Sequence, residues 1–264
     1  MRAVGHIIDI QEIRKTYDNG YVALSGLSLQ VQRGTIFGFL GLNGAGKTTT
    51  IRILAGLSAK DSGSVRLFGE EVRPDDISHK YRIGYVLDEP LYFEWMSVLE
   101  YLHFIGTMFD LSEHDIAQRS GELIEFFDLA PKGDDPIGSF STGMKKKVSL
   151  AAAVIHNPEL IILDEPLEGI DALAASSIKE TLVVMASHGT TVFITSHVLD
   201  TVERLCDEIA VIHRGKNILQ CRTNEIRKRV KRAVPTETYA SLEELFVDIV
   251  SDRRKKKAFS WLGQ

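Results

Sequence analysis

Gly41-Leu-Asn-Gly44-Ala-Gly46-Lys47-Thr48 fits the spacing G-x-x-x-x-G-K-[ST] of a phosphate-binding loop. Gly41, Gly44 and Gly46 let the backbone curl, so that the N–H groups around Leu42, Asn43 and Ala45 converge on phosphate oxygens. A helix opening at Lys47 would turn the positive end of its dipole toward the same anion. Lys47 brings a full charge to the β- and γ-phosphates, and the Thr48 hydroxyl is placed to ligate Mg²⁺. Further along, Leu160-Ile-Ile-Leu-Asp164-Glu165-Pro166 reads as a buried strand ending in two acids. In a parallel sheet the carboxyl ends of strands face the ligand. Asp164 is then a second Mg²⁺ ligand, and Glu165 a general base for an attacking water. Taken alone, the pair reads more readily as a solvated acid pair capping a strand; the phosphate loop upstream turns the reading to chemistry. His197, in Thr195-Ser-His197, ends another apolar strand and brings an imidazole to the same edge.

These residues need a frame. Segments 7–17, 27–31, 35–40, 82–87, 160–163, 190–195 and 208–213 have strand character. The run 35–40 is nearly all apolar, as suits a strand buried on both faces. Residues 48–57 have helical spacing. From about 92 to 157 the pattern is helical, with helices predicted over 98–109, 113–128 and 142–155. Ser97-Val-Leu-Glu100 and Ser112-Glu-His-Asp115 have capping-box form. Another helix falls between strands 160–163 and 190–195. The expectation is an α/β core interrupted by a helical insert.

Composition excludes several classes. The 264 residues are 44% hydrophobic and 25% charged, as in an ordinary globular protein. No apolar run reaches the ~20 residues of a membrane span. The net charge of -5 argues against nucleic acid as a partner. Cys206 and Cys221 form no metal or disulfide pattern. That usage and an N-terminus without signal layout point to a cytoplasmic compartment. Basic runs at 227–232 and 253–257 flank an amphipathic segment capped at Ser241, with Leu242, Leu245, Phe246 and Ile249. They read either as a solvated helix face or as a contact to an anionic membrane surface.

The ordered motifs resemble the ATP-binding subunits of ABC transporters over about residues 5–220. In that resemblance Tyr17 stacks on adenine and the loop from Gly41 to Thr48, with Thr49, holds the phosphates of ATP. Phe140-Ser141-Thr142-Gly143-Met144 matches the family signature. Asp164 matches the Mg²⁺ ligand, Glu165 the catalytic base, Asp171 the acid of the D-loop, and His197 the switch histidine. Ser141 would cap a helix starting near Thr142, whose N-terminus meets ATP held by a second subunit; Gly143 and Met144 share that contact. The signature departs from the usual at Thr142 and Met144, and such S-x-G-M forms look like those of many bacterial exporters. Asp88, followed by Glu89, stands where the family has Gln. It is expected to reach Mg²⁺ through a water, or to act through the permease.

The resemblance implies an α/β P-loop NTPase fold: a RecA-like core with an N-terminal antiparallel β part and an inserted helical subdomain. The expected division is an ATPase domain 1–222, with core 1–88 and 158–222 and helical subdomain 89–157, then a basic, partly helical extension 223–264. The implied function is hydrolysis of ATP with Mg²⁺ to power an exporter whose integral membrane permease is a separate chain. The subunit would lie peripherally at the cytoplasmic face of the membrane, paired with an identical or paralogous ATPase. Tyr92, Phe93 and Trp95 either receive a permease helix or pack the insert. The alternative is a soluble ABC ATPase without permease, such as one for iron–sulfur assembly. Translation-type members carry two ATPase domains per chain and repair-type members long coiled coils, and this chain has neither. Glu165 argues against a non-hydrolysing module.

Overall fold

The computed structural model describes residues 5–73, 77–88, 92–132 and 134–225. The first two strands, β1 (His6–Thr16) and β2 (Val22–Gln32), pair antiparallel and bury Ile8, Ile10, Ile13, Leu24, Leu27 and Leu29. A bulge separates Ile10 from Ile13, with Glu12 at φ 48, so the apolar residues keep one face despite the extra residue. The next strand, β3 (Ile36–Leu40), is buried at every position and alternates between two cores: Ile36 and Leu40 face one, Phe37 and Phe39 the other. It feeds α1 (Lys47–Leu54). Then come β4 (Ser62–Leu67) and β5 (Glu70–Glu71), which the sequence pattern does not announce. The opening Ser62-Gly-Ser of β4 lacks apolar alternation, and its pairing with β1 makes it a strand.

The order continues with β6 (Ile83–Val86), α2 (Val98–Met108), α3 (Glu113–Phe126) and α4 (Thr142–Val154). These helices lie where their periodicity predicts. Ser97 and Glu100 form a reciprocal capping box, while Asp115 turns its carboxylate to the Ser112 hydroxyl instead of its N–H. The chain returns through β7 (Leu160–Leu163), α5 (Ala172–Ser187), β8 (Thr191–Ser196), α6 (Leu199–Leu205), β9 (Glu208–His213) and β10 (Lys216–Arg222).

Two sheets result. The smaller runs β2-β1-β4-β5 and is antiparallel; the larger runs β10-β9-β3-β8-β7-β6 and is parallel except for β10. Its register sets Leu40 beside Ser196, Leu163 beside Ile194 and Val86 beside Leu163. The residues following β3, β6, β7 and β8 therefore share one edge. One core lies between this sheet, the smaller sheet and α1; the other lies under the helical insert. At Gly84 a Cβ would collide with the Ala153 carbonyl, so glycine lets α4 lie directly on β6. The basic runs and the segment capped at Ser241 fall outside the described residues, as do Glu89 and Pro90.

Candidate active site

The phosphate loop leads from β3 into α1. Gly46 precedes the helix at φ 112, and a Cβ there would meet the Ala23 carbonyl oxygen at 2.7 Å. No side chain caps α1, so its first-turn N–H groups are left to an anion. Lys47 is buried; its Nζ donates to the Gly41 carbonyl at 2.8 Å and pairs with Glu165 Oε1 at 3.2 Å. Leu42, Asn43, Gly44 and Thr48 are exposed, whereas Ala45 and Thr49 are buried beneath them. Tyr21 Oη donates to the Gly44 carbonyl at 2.6 Å, and its ring stacks on Tyr17 with centroids 6.5 Å apart. The Tyr17 hydroxyl is 3.2 Å from Thr49 Oγ1. The turn between β1 and β2 thus stands over the start of α1.

At the end of β7, Asp164 is only 3% exposed. Thr195 on β8 donates its hydroxyl to Asp164 Oδ1 at 2.6 Å and accepts the Glu165 N–H at 3.0 Å. Glu165 has φ 46, the left-handed region that side chains with a Cβ rarely enter. Its Oε2 lies 3.1 Å from His197 Nδ1. Lys47, Glu165 and His197 therefore form one chain of contacts across three strand ends. Asp88, after β6, joins this group electrostatically: burial and then the Asp164 charge push its carboxyl above the usual range.

The signature residues gather elsewhere. Ser141 caps α4, accepting the Met144 N–H at 3.3 Å. Asp171 caps α5, accepting the N–H groups of Ala174 and Leu173 at 2.9 Å, and these bonds hold its carboxyl below the ordinary carboxylate range. Gly143 faces Asp171 and Ala174. Among the described residues no hydrogen bond or ion pair joins this group to the phosphate loop.

A family model described as ABC transporter matches residues 24–168. The chain belongs to the ABC transporter family. It is an ATP-binding subunit of that family, an ATPase coupled to transport. It is similar to the linearmycin resistance ATP-binding protein LnrL of Bacillus subtilis (strain 168), 36% identical over 80% of this chain and 68% of that protein. It is also similar to the Nod factor export ATP-binding protein I of Cupriavidus metallidurans, 37% identical over 83% of this chain and 72% of the relative. A solved structure titled "Structure of ATP binding subunit of ABC transporter" superposes with a TM-score of 0.82 at 28% identity, covering 92% of this chain and 99% of the other.

The residues of this ABC ATPase fit a magnesium nucleotide: the α1 terminus is uncapped, Lys47 is buried beside it, and Asp164 keeps only Oδ1 on Thr195. Two residues that organise this edge, Thr195 and Tyr21, are not singled out by the sequence pattern. Thr195 carried a faint signal as a hydroxyl at the end of an apolar strand. Tyr21 carried none, because its bond to Gly44 spans both β2 and β3.

Proposed function

We propose that this ABC ATPase hydrolyses ATP within a sandwich of two ATPase subunits and so powers a separate integral membrane permease, acting as an exporter. The observation that carries the reading is the contact chain Lys47–Glu165–His197, lying at one sheet edge beside the uncapped helix. Tyr17 would stack on adenine, while Gly41 to Thr49 would cradle the phosphates. Mg²⁺, when bound, would neutralise charge on the β- and γ-oxygens; Thr48 and Asp164 would hold it, with Asp88 acting through a water. Lys47 would leave Glu165 for the phosphates and free the carboxylate. Glu165 then takes a proton from water as the water oxygen bonds to the γ-phosphorus, and the bond to the β–γ bridging oxygen breaks with its electrons going to ADP. His197 would orient the γ-phosphate.

Ser141, Gly143, Met144 and Asp171 would act on ATP of the partner subunit, consistent with their lying apart from their own phosphate loop. The functional division would follow core 1–88 and 158–222, helical subdomain 89–157 and extension 223–264. The export reading rests on the S-x-G-M signature and on relatives named for Nod factor export and linearmycin resistance. No helix among the described residues is long and apolar enough to cross a membrane, which fits a peripheral subunit at the cytoplasmic face. No nucleic acid partner is proposed.

Mixed dimers test the sandwich. A Lys47→Ala subunit paired with a Ser141→Arg subunit puts both lesions in one composite site and leaves the other intact. Partial activity is expected where each variant alone is inactive. Proven mixed dimers without any activity would overturn two independent composite sites.

A further inference from the structure

The buried face of α4 carries a lysine where an apolar residue would be ordinary. Lys146 follows Gly143 by three residues and precedes Leu150 by four, and all three are buried. It is 7% exposed. Its Nζ donates to the main-chain carbonyls of Glu165 at 3.0 Å and Glu168 at 2.6 Å. Burial lowers its pKa, while the charges of Asp88, Glu168 and Glu165 hold it up. A buried ammonium costs desolvation that leucine or methionine would avoid. Its two acceptors are the ends of one short turn, which the Glu168 N–H closes by donating to the Glu165 carbonyl at 3.1 Å. That turn starts with Glu165 in its left-handed conformation. The helix capped by Ser141 thus grips the segment that presents Glu165.

We infer that Lys146 is a positioning residue that makes hydrolysis at one site depend on nucleotide at the other. The inference rests on the sandwich proposed above. ATP of the partner would seat against the N-terminus of α4, and a helix is stiff over the one or two turns to Lys146. Fixing α4 would fix the two carbonyls, and with them the backbone that aims Glu165 at water. A lysine that merely filled space would affect folding alone, with neither turnover nor cooperativity responding separately.

The test uses the full-length protein with Lys146→Met, which keeps the stem, and Lys146→Gln, which keeps an uncharged donor. In Lys146→Met the expected kcat falls by about tenfold or more, while KM for MgATP stays within about threefold. The dependence on ATP concentration should lose its cooperativity, and Lys146→Gln should recover part of the turnover. Wild-type turnover and cooperativity in a folded Lys146→Met protein would overturn the inference. If the methionine variant does not fold, hydrogen exchange in unsubstituted Lys146 protein decides. ATP should protect the Glu168 amide of a wild-type subunit in wild-type dimers, and a Lys47→Ala partner, which holds no ATP against that subunit's α4, should abolish the protection. Equal protection with either partner would overturn the role. Glu165→Gln protein separates the two readings: absence of an ATP-dependent dimer by size-exclusion chromatography would count against the sandwich, whereas dimers with unaltered Lys146 variants would count against Lys146 alone.

Discussion

At the carboxyl edge of the parallel sheet each buried charge has a named partner: Lys47 has Glu165 and Gly41, Glu165 has His197, and Asp164 has Thr195. The outer side of the helical insert is built otherwise. Phe93, Trp95, Leu99, Phe104 and Met108 are exposed there, and Trp95 is 74% so. Between insert and core lies a cavity of about 390 Å³ bounded by Tyr85, Tyr101, Ile105, Phe109 and His156. The first region suits a small, highly charged ligand, for which a few directional bonds decide affinity. The second suits a large apolar partner, for which buried area decides it.

Substitutions can break this contrast in order of expected size. Glu165→Gln should abolish most ATP turnover, by about 10²–10⁴-fold, because it removes the proton acceptor. Nucleotide binding should persist and an ATP-bound dimer accumulate, visible by size-exclusion chromatography. Wild-type turnover would remove Glu165 from the chemistry.

Thr195→Val keeps shape but leaves Asp164 Oδ1 and the Glu165 N–H without their bridge. The expected loss is about 1–3 kcal/mol of unfolding free energy, with reduced turnover. Urea denaturation of wild type and variant reads it. An unchanged midpoint would mean that Thr195 does not organise the edge.

His156 sharpens the boundary between the regions. Its ring stacks on Phe109 at 3.7 Å between centroids, and Nε2 lies 3.2 Å from the Ile83 carbonyl. Burial lowers its pKa to about 4, and the nearby Arg119 charge adds to this. The unfolded chain takes up this proton near pH 6.5 and the folded chain only near 4, so stability present above pH 6.5 is lost as pH falls toward 4. The loss should be about 1–3 kcal/mol, and His156→Gln should flatten that part of the profile. Denaturant titrations at several pH values would detect an unaltered slope, which would exclude His156.

Trp95→Ala should be the mildest. With its ring exposed, unfolding free energy should stay within about 0.5 kcal/mol. Basal ATPase activity should also hold, while permease-stimulated turnover falls. Equal stimulation of both proteins would return the aromatic patch to ordinary surface.

Legibility in the sequence divides along the same line. The bounds of β7 and β9 match the apolar runs because their residues are buried on both sides and bounded by polar ones. The helices α2 and α4 follow from capping serines and period. Local signals of this kind also placed Lys47, Asp164, Glu165 and His197. What stayed hidden depends on distant pairing: Thr195 meets Asp164 across 31 positions, Tyr21 meets Gly44 across 23, and β10 is a strand through β9. Lys146 was readable in principle, as a cation on the apolar stripe of α4, but its acceptors lie 19 and 22 residues on. The aromatic segment divides as well. Tyr92 packs inward, its hydroxyl on the Lys145 carbonyl and Ser149, whereas Phe93 and Trp95 stay outside.

The bond from Tyr21 to Gly44 has a thermodynamic consequence. A peptide unit is planar, so its carbonyl and the next N–H point in opposed directions. Tyr21 holds the carbonyl of the Gly44–Ala45 unit from one side, and the Leu42 carbonyl accepts the Ala45 N–H on the other at 3.0 Å. One plane of the glycine loop is thereby set before any anion arrives, and its ordering entropy is spent during folding instead of on binding. Calorimetry should accordingly find a less unfavourable binding entropy for the native loop than for Tyr21→Phe, even where the two affinities differ little because enthalpy compensates.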